Sequence, residues 1–253
     1  MQIKGANVNY VFYDNNSKVN LVYLHGWGQN IEMMMPIAKP FMKECNVLVI
    51  DLPGFGNSEE PTEILSIYDY ADIVYEITKK HKMKNPILIG HSFGGKVSIA
   101  YSLKYETDKL VLLASPYKQN LKKPTFKMKV YKFVKKIPVI NKLEGIVKKH
   151  VGSQDYRNAS ETMRKILVNH VNLDLTEEVK NINVPTLLIW GTNDEAVSIE
   201  DAKVLEKLIP NAGLVEYEGC THYAYLERLG QTINVLKSFI GSDEKWKCIF
   251  YYH

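Results

Sequence analysis

An α/β fold with a mostly parallel central sheet flanked by helices is what this sequence predicts, on three observations. Short apolar runs recur along the chain, at 19–24, 46–50, 86–89, 109–114 and 186–190. Helix-like stretches separate them, and parallel neighbours need such crossovers because no tight turn can join them. Between the run 86–89 and the helical stretch after it lies Gly90-His91-Ser92-Phe93-Gly94-Gly95, a sharp strand-to-helix turn.

Residues 7–13 read as a half-buried strand with a turn at Asp14-Asn15-Asn16 behind it, the pattern of an antiparallel hairpin at a sheet edge. The more apolar run 19–24 ends in His25-Gly26-Trp27-Gly28-Gln29-Asn30, a glycine-rich turn before a Met-rich helix over 31–42. Residues 46–50 form the next strand, followed by Asp51-Leu52-Pro53-Gly54-Phe55-Gly56-Asn57-Ser58, a loop dense in turn formers. Ser66 caps a helix over 67–81, in which Ile73, Val74 and Ile77 recur at helical spacing. After the turn at Ser92 come a helix over 96–105 and a strand at 109–114. The alternation then stops, because 116–181 shows helical patterns broken by Pro124, Pro138 and Gly152 and no clear strand. It resumes with a strand at 186–190, a helix at 199–208, a strand at 214–217 and a helix over 224–240. One core, 1–115 with 182–253, is thus interrupted by a helical insertion at 116–181.

A length of 253 residues fits one such domain with an insertion. With 45% apolar and 24% charged residues the chain is soluble and globular in type, which excludes disordered and fibrous classes. Met1-Gln2-Ile3-Lys4-Gly5 lacks the apolar run of a signal peptide, and no stretch has the length of a membrane span, so a cytoplasmic protein is expected. Cys45, Cys220 and Cys248 are far apart and odd in number, and read as free thiols rather than a disulfide framework or a Cys-rich metal site. Residues 118–149 hold eleven lysines and one acid, Glu144, a local balance of +10 that leaves the rest of a +4 chain at −6. Arginine occurs at 157, 164 and 228 alone, and with an acidic remainder nucleic acid is not an expected partner.

The turn at 90–95 carries the chemistry. Small residues two before and two after a serine let strand and helix approach closely, lift its Oγ clear of the sheet, and leave the Phe93 N–H at a helix N-terminus where an oxyanion would form. Ser92 is therefore read as a nucleophile, which needs a base and a group to orient that base. Of seven histidines, His25 and His91 adjoin glycine turns and read as structural, His81 ends a helix, His150 and His170 lie in the insertion, and His253 is terminal. His222 follows Gly219-Cys220-Thr221 after the last strand, as the base or as a polar helix-entry residue. Asp194, a few residues past the strand 186–190, is the candidate orienting acid, with Glu195 its competitor. The order Ser92, Asp194, His222 is the one expected of this architecture.

These motifs together, His25-Gly26-Trp27-Gly28, 51–58, 90–95, 190–194 and 219–222, resemble α/β-hydrolase-fold enzymes across nearly the whole chain. The resemblance implies an oxyanion hole pairing the Phe93 amide with that of Trp27, a structural Asp51, and a cap or lid formed by 116–181. Ser198 stands where relatives often carry proline. The implied activity is hydrolysis of a carboxylic ester or thioester with no metal or organic cofactor, a small-molecule acyl compound being the substrate. Relatives cleave carbon–carbon bonds with the same three residues, which is one alternative for this chain; a small-molecule receptor that keeps the pocket with little turnover is another. Halogen-removing relatives need an aspartate at position 92. The basic segment 118–149 suggests an acidic acyl carrier protein as a docking partner, and His25-Gly26-Trp27-Gly28 resembles esterases acting on carrier-bound methyl esters. Met33 to Met35, Phe126, Tyr131, Phe133 and Tyr223 are candidate pocket residues.

Overall fold

Continuous apolar runs form strands covered on both faces, and that is how they are used here. The computed structural model describes residues 1–119 and 159–241; most of the lysine-rich segment, with Phe126, Tyr131, Phe133, His150, Cys248 and the C-terminal tail, lies outside them. Seven strands form the main sheet: β3 (Tyr10–Tyr13), β4 (Asn20–Leu24), β5 (Asn46–Ile50), β6 (Ile87–His91), β7 (Leu110–Leu113), β8 (Thr186–Gly191) and β9 (Ala212–Tyr217). Their order is β3-β5-β4-β6-β7-β8-β9, with β3 antiparallel and the rest parallel. A separate antiparallel pair, β1 (Gln2–Ile3) and β2 (Ala6–Asn7), precedes it.

Because side chains alternate along a strand, each run feeds two cores. Leu21, Tyr23, Val47, Val49, Ile87, Ile89, Val111 and Leu113 face Met34 and Ile37 of α1 (Ile31–Ala38) and Leu236 and Phe239 of α7 (Leu229–Gly241). Val22, Leu24, Leu48, Ile50, Leu88, Leu110 and Leu112 face α2 (Ile67–Lys80), α3 (Phe93–Lys104) and α5 (Ile199–Leu208). The remaining helices are α4 (Glu161–Asn172), within the insertion, and the short α6 (Ala224–Glu227). Ser66 caps α2, as expected, and the structure adds a capping box with Asp69.

Several boundaries differ from the sequence reading. Residues 7–13 do not fold back on β4 as a hairpin; Tyr10–Tyr13 pairs antiparallel with β5 instead, Tyr10 opposite Ile50. The Asn46 side chain at the start of β5 accepts from the Asn15 and Ser17 amides and donates to the Ser17 carbonyl, which carries the connection across β5 rather than into a tight reversal. The helix expected over 31–42 ends at Ala38 and passes into a 3-10 turn, Lys39–Phe41, since Pro40 has no N–H to donate to the carbonyl four residues back and so breaks the α-helical ladder. Helix α3 starts at Phe93 rather than 96, with both glycines inside its first turn. The helix over 224–240 is two, broken at Arg228.

Candidate active site

From β4 the chain crosses to β5 on one side and then returns to β6 on the other, so the carboxyl ends of β4 and β6 flank the point where strand order reverses. Such a point opens a crevice, and parallel strands deliver every following loop to its rim. The turns after β4, β6, β8 and β9 meet there.

Ser92 occupies the turn after β6 at φ 49° and ψ −111°, a conformation that costs a side-chain-bearing residue roughly 1–3 kcal/mol. Its surroundings hold it there. The Ser92 N–H donates to the Leu113 carbonyl at 2.9 Å, and the Gly94 N–H donates to the His25 carbonyl at 3.0 Å. A Cβ at Gly94 would lie 2.4 Å from the Leu24 carbonyl oxygen, and one at Gly90 would lie 2.5 Å from that of Gly94, so this crossing of strand and helix admits glycine alone. Among the described residues Ser92 Oγ has no hydrogen-bond partner, His222 included; nucleophile-to-base contacts of this kind commonly tighten when substrate binds.

The turn after β4 is closed by the Gln29 N–H donating to the Gly26 carbonyl at 3.2 Å, with Gly28 at φ 70°, the left-handed value a type II turn requires at its third position. Trp27 sits at the second position, where the turn leaves its amide unused. Its indole packs edge-on against Phe55 and Phe93, 4.8 and 5.3 Å between centroids. His25 is structural: Nδ1 donates to the Gly26 carbonyl at 2.7 Å, Nε2 accepts from the Leu52 N–H at 3.0 Å, and burial lowers its pKa.

His222 and Asp194 meet. Nδ1 of His222 is 2.8 Å from Asp194 Oδ2, while Asp194 Oδ1 accepts from the Ala196 and Val197 amides at 2.8 and 2.9 Å. Glu195, the competing carboxylate, is exposed on the cavity wall instead. Ser198, the departure from the family pattern, serves as the N-cap of α5 and accepts from the Asp201 N–H. Asp51 is buried away from this contact, accepting from the Ile31 and Asn57 amides and from Asn9 Nδ2.

Ser92, Trp27 and His222 line one cavity of about 900 Å³. Two of its polar wall residues escaped the sequence reading. Lys96, one helical turn after Ser92 and wholly buried, donates Nζ–H to the carbonyls of His170 and Leu173, at 2.9 and 2.7 Å, at the end of α4. Burial pushes its ammonium down to about 8, with Asp174 pulling the other way. His170 stacks parallel to Trp27 and edge-on to Phe93, and burial, with repulsion from Lys96, pushes its pKa down to about 3. A lysine at i+4 from Ser92 was the available signal. Of the pocket residues expected, Tyr223 lines this cavity, whereas Met34 is core. Lys118, at the start of the basic segment, is bridged to Asp201 at 2.7 Å, and nothing among the described residues points to a carrier-protein surface.

Residues 19–138 and 145–229 match the family described as alpha/beta hydrolase fold. The chain belongs to the α/β-hydrolase family. It is similar to the hydrolase YugF of Bacillus subtilis (strain 168), 27% identical over 249 residues that cover 89% of this chain and 91% of that protein. Lipase 3 of Moraxella sp. (strain TA144) is 28% identical, covering 93% of this chain and 81% of the lipase. Among solved structures, Est816, described as an N-acyl homoserine lactone degrading enzyme, superimposes with a TM-score of 0.75 at 21% identity, over 94% of this chain and 98% of that one, a likeness of fold. This α/β-hydrolase is an enzyme of the hydrolase class, and among its described residues no helix is long and apolar enough to cross a membrane.

Proposed function

We propose that this α/β-hydrolase is a serine esterase that cleaves a carboxylic ester or thioester through Ser92, His222 and Asp194. The observation that carries the reading is the 2.8 Å His222–Asp194 contact on the wall of the same cavity as a strained, half-buried Ser92. His222 Nε2 takes the Ser92 proton as Oγ bonds to the substrate carbonyl carbon, and Asp194 keeps the Nδ1 proton in place. The carbonyl oxygen becomes an oxyanion against the amides of Phe93 and Trp27. Collapse breaks the bond to the leaving alcohol or thiol, which departs with the proton from His222. Water then attacks the acyl-enzyme, His222 again removing and returning a proton, and frees the acid and Ser92. The names of relatives, lipase 3 among them and monoacylglycerol lipase ABHD6 of Mus musculus, 26% identical, favour an ester over the carbon–carbon alternative.

A nitrophenyl ester series of increasing acyl length, run on wild type and Ser92→Ala, tests this. Ser92→Ala should lose about 10³-fold or more in kcat, with Ser92 labelled by a fluorophosphonate in the wild type. An unaltered rate in the variant overturns the assignment. Labelling without turnover on any ester, together with cleavage of dienoate ring-fission products, would move the reading to carbon–carbon hydrolysis.

A further inference from the structure

His91 is a buried titratable side chain that the mechanism above leaves unused. It ends β6, one residue before Ser92, and is fully buried. Its ring reaches the loop after β9: Nε2 lies 3.0 Å from the His222 backbone carbonyl oxygen, and Nδ1 lies 3.1 Å from Gln29 Oε1. The ring also packs between those of His222 and Tyr225, with centroids 4.9 and 4.8 Å away.

Burial pushes the His91 pKa down to about 3, with repulsion from His222 and His25 in the same direction and the bond to the His222 carbonyl opposing. A neutral imidazole has one N–H to give, and a backbone carbonyl can only accept. Gln29 Oε1, the acceptor facing Nδ1, already receives the Gly26 N–H at 3.0 Å, whereas among the described residues no other donor reaches the His222 carbonyl, so the proton is assigned to Nε2 and donated to His222. His222 is thus gripped twice, its imidazole by Asp194 and its main chain by His91.

We propose that His91 is a positioning residue for the general base, its Nε2–H fixing the loop that presents the His222 imidazole to the neighbouring nucleophile. The proposal rests on the reading of His222 as the base. A residue adjoining Ser92 thereby ties the nucleophile's strand to the base's loop, so that strain at Ser92 and placement of His222 share one anchor. A neutral ring is what the site needs, because a cation there would oppose the imidazolium that forms on His222 during acyl transfer.

Three substitutions separate this role from packing. The amide nitrogen of glutamine reaches the place of imidazole Nε2, that of asparagine reaches only the place of Nδ1, and leucine fills the volume without donating. Steady-state kinetics on a short nitrophenyl ester, with kcat taken per fluorophosphonate-titrated site, should show His91→Leu and His91→Asn down by about 30-fold in kcat with KM within about 2-fold, and His91→Gln within about 3-fold of wild type. Deuterium exchange of the amides at 221–224 should rise in the leucine variant and not in the glutamine one. His91→Leu within about 3-fold of wild type, or equal losses in all three, overturns the proposal; if His91→Leu does not fold, the ratio of glutamine to asparagine decides alone. Ser92→Ala runs alongside. A fully active Ser92→Ala overturns the hydrolytic reading and with it the role given to His222, whereas an inactive Ser92→Ala with unaffected His91 variants removes only His91.

Discussion

His222 Nδ1 stands 2.8 Å from Asp194 Oδ2, and the two ends of this contact differ in their access to solvent: the Asp194 side chain has 0% exposure and that of His222 18%. A dry carboxylate holds an imidazole that substrate can still reach. The other carboxylate oxygen is spent on the Ala196 and Val197 amides, so Asp194 has one direction left in which to accept.

Asp194→Asn should therefore misdirect the base rather than unfold the site. Its carbonyl would stay on the two amides and its NH2 would face Nδ1, which must then accept, leaving the proton on Nε2 where the serine proton has to go. A fall of roughly 10³–10⁴-fold in kcat with little change in melting temperature is expected. Ester kinetics beside a thermal melt measure both, and activity within tenfold of wild type contradicts the role.

Asp51→Asn should do the opposite. Asp51 Oδ1 accepts from the Ile31 amide at 2.7 Å, and Oδ2 accepts from the Asn57 amide at 2.9 Å and Asn9 Nδ2 at 2.8 Å, all away from the cavity. An amide there turns a donor toward a donor and should cost about 2–3 kcal/mol in urea unfolding, while kcat per labelled site stays within about 3-fold. Lost activity at undiminished stability would give Asp51 a place in the chemistry.

Lys96→Met keeps the stem and removes the ammonium that joins α3 to the end of α4. The carbonyls of His170 and Leu173 lose their charged donor. Amide exchange over 170–175 should quicken by about tenfold or more, reflecting loss of bonds each worth about 1.5–3 kcal/mol. Unchanged exchange there would mean that packing alone seats α4.

Acid should destabilise the protein through its buried histidines. His170 and His91 are held at about 3 by burial, against about 6.5 in an unfolded chain. Between those values the unfolded state binds more protons, so stability is intact above about pH 6.5 and is lost progressively toward pH 3. His170→Phe removes one such group, and its stability loss between pH 7 and pH 5 should be smaller than that of wild type by about 2 kcal/mol. Equal losses in urea titrations at the two pH values would contradict a neutral, buried His170.

Much of this was legible in one dimension. Runs such as 46–50 and 110–113 are apolar without alternation because both faces of the sheet are covered, and Ser66 reads as the cap of the helix that follows it. Positions 90 and 94 read as glycine for a close approach, and the backbone of Leu24 and His25 is what approaches. The pairing of β3 was not legible, because its partner is chosen by Asn46, remote in sequence, catching the loop backbone. Asp194 is preferred to its neighbour Glu195 on sequence, but the reason that it is the carboxylate meeting His222 was not legible: the following turn buries Asp194 by donating the Ala196 and Val197 amides to it, and leaves Glu195 exposed.

By itself the sequence determined the parallel sheet, the elbow at Ser92 and the chain order of three candidate residues, because those follow from local periodicity and from steric demands met within a few residues. Tertiary structure alone decided that Lys96 reaches α4 and that His91 grips the main chain of His222. Both are single hydrogen-bonding side chains that leave no periodic trace, and their partners, 74 and 131 positions away, become neighbours only when strands distant in sequence lie side by side.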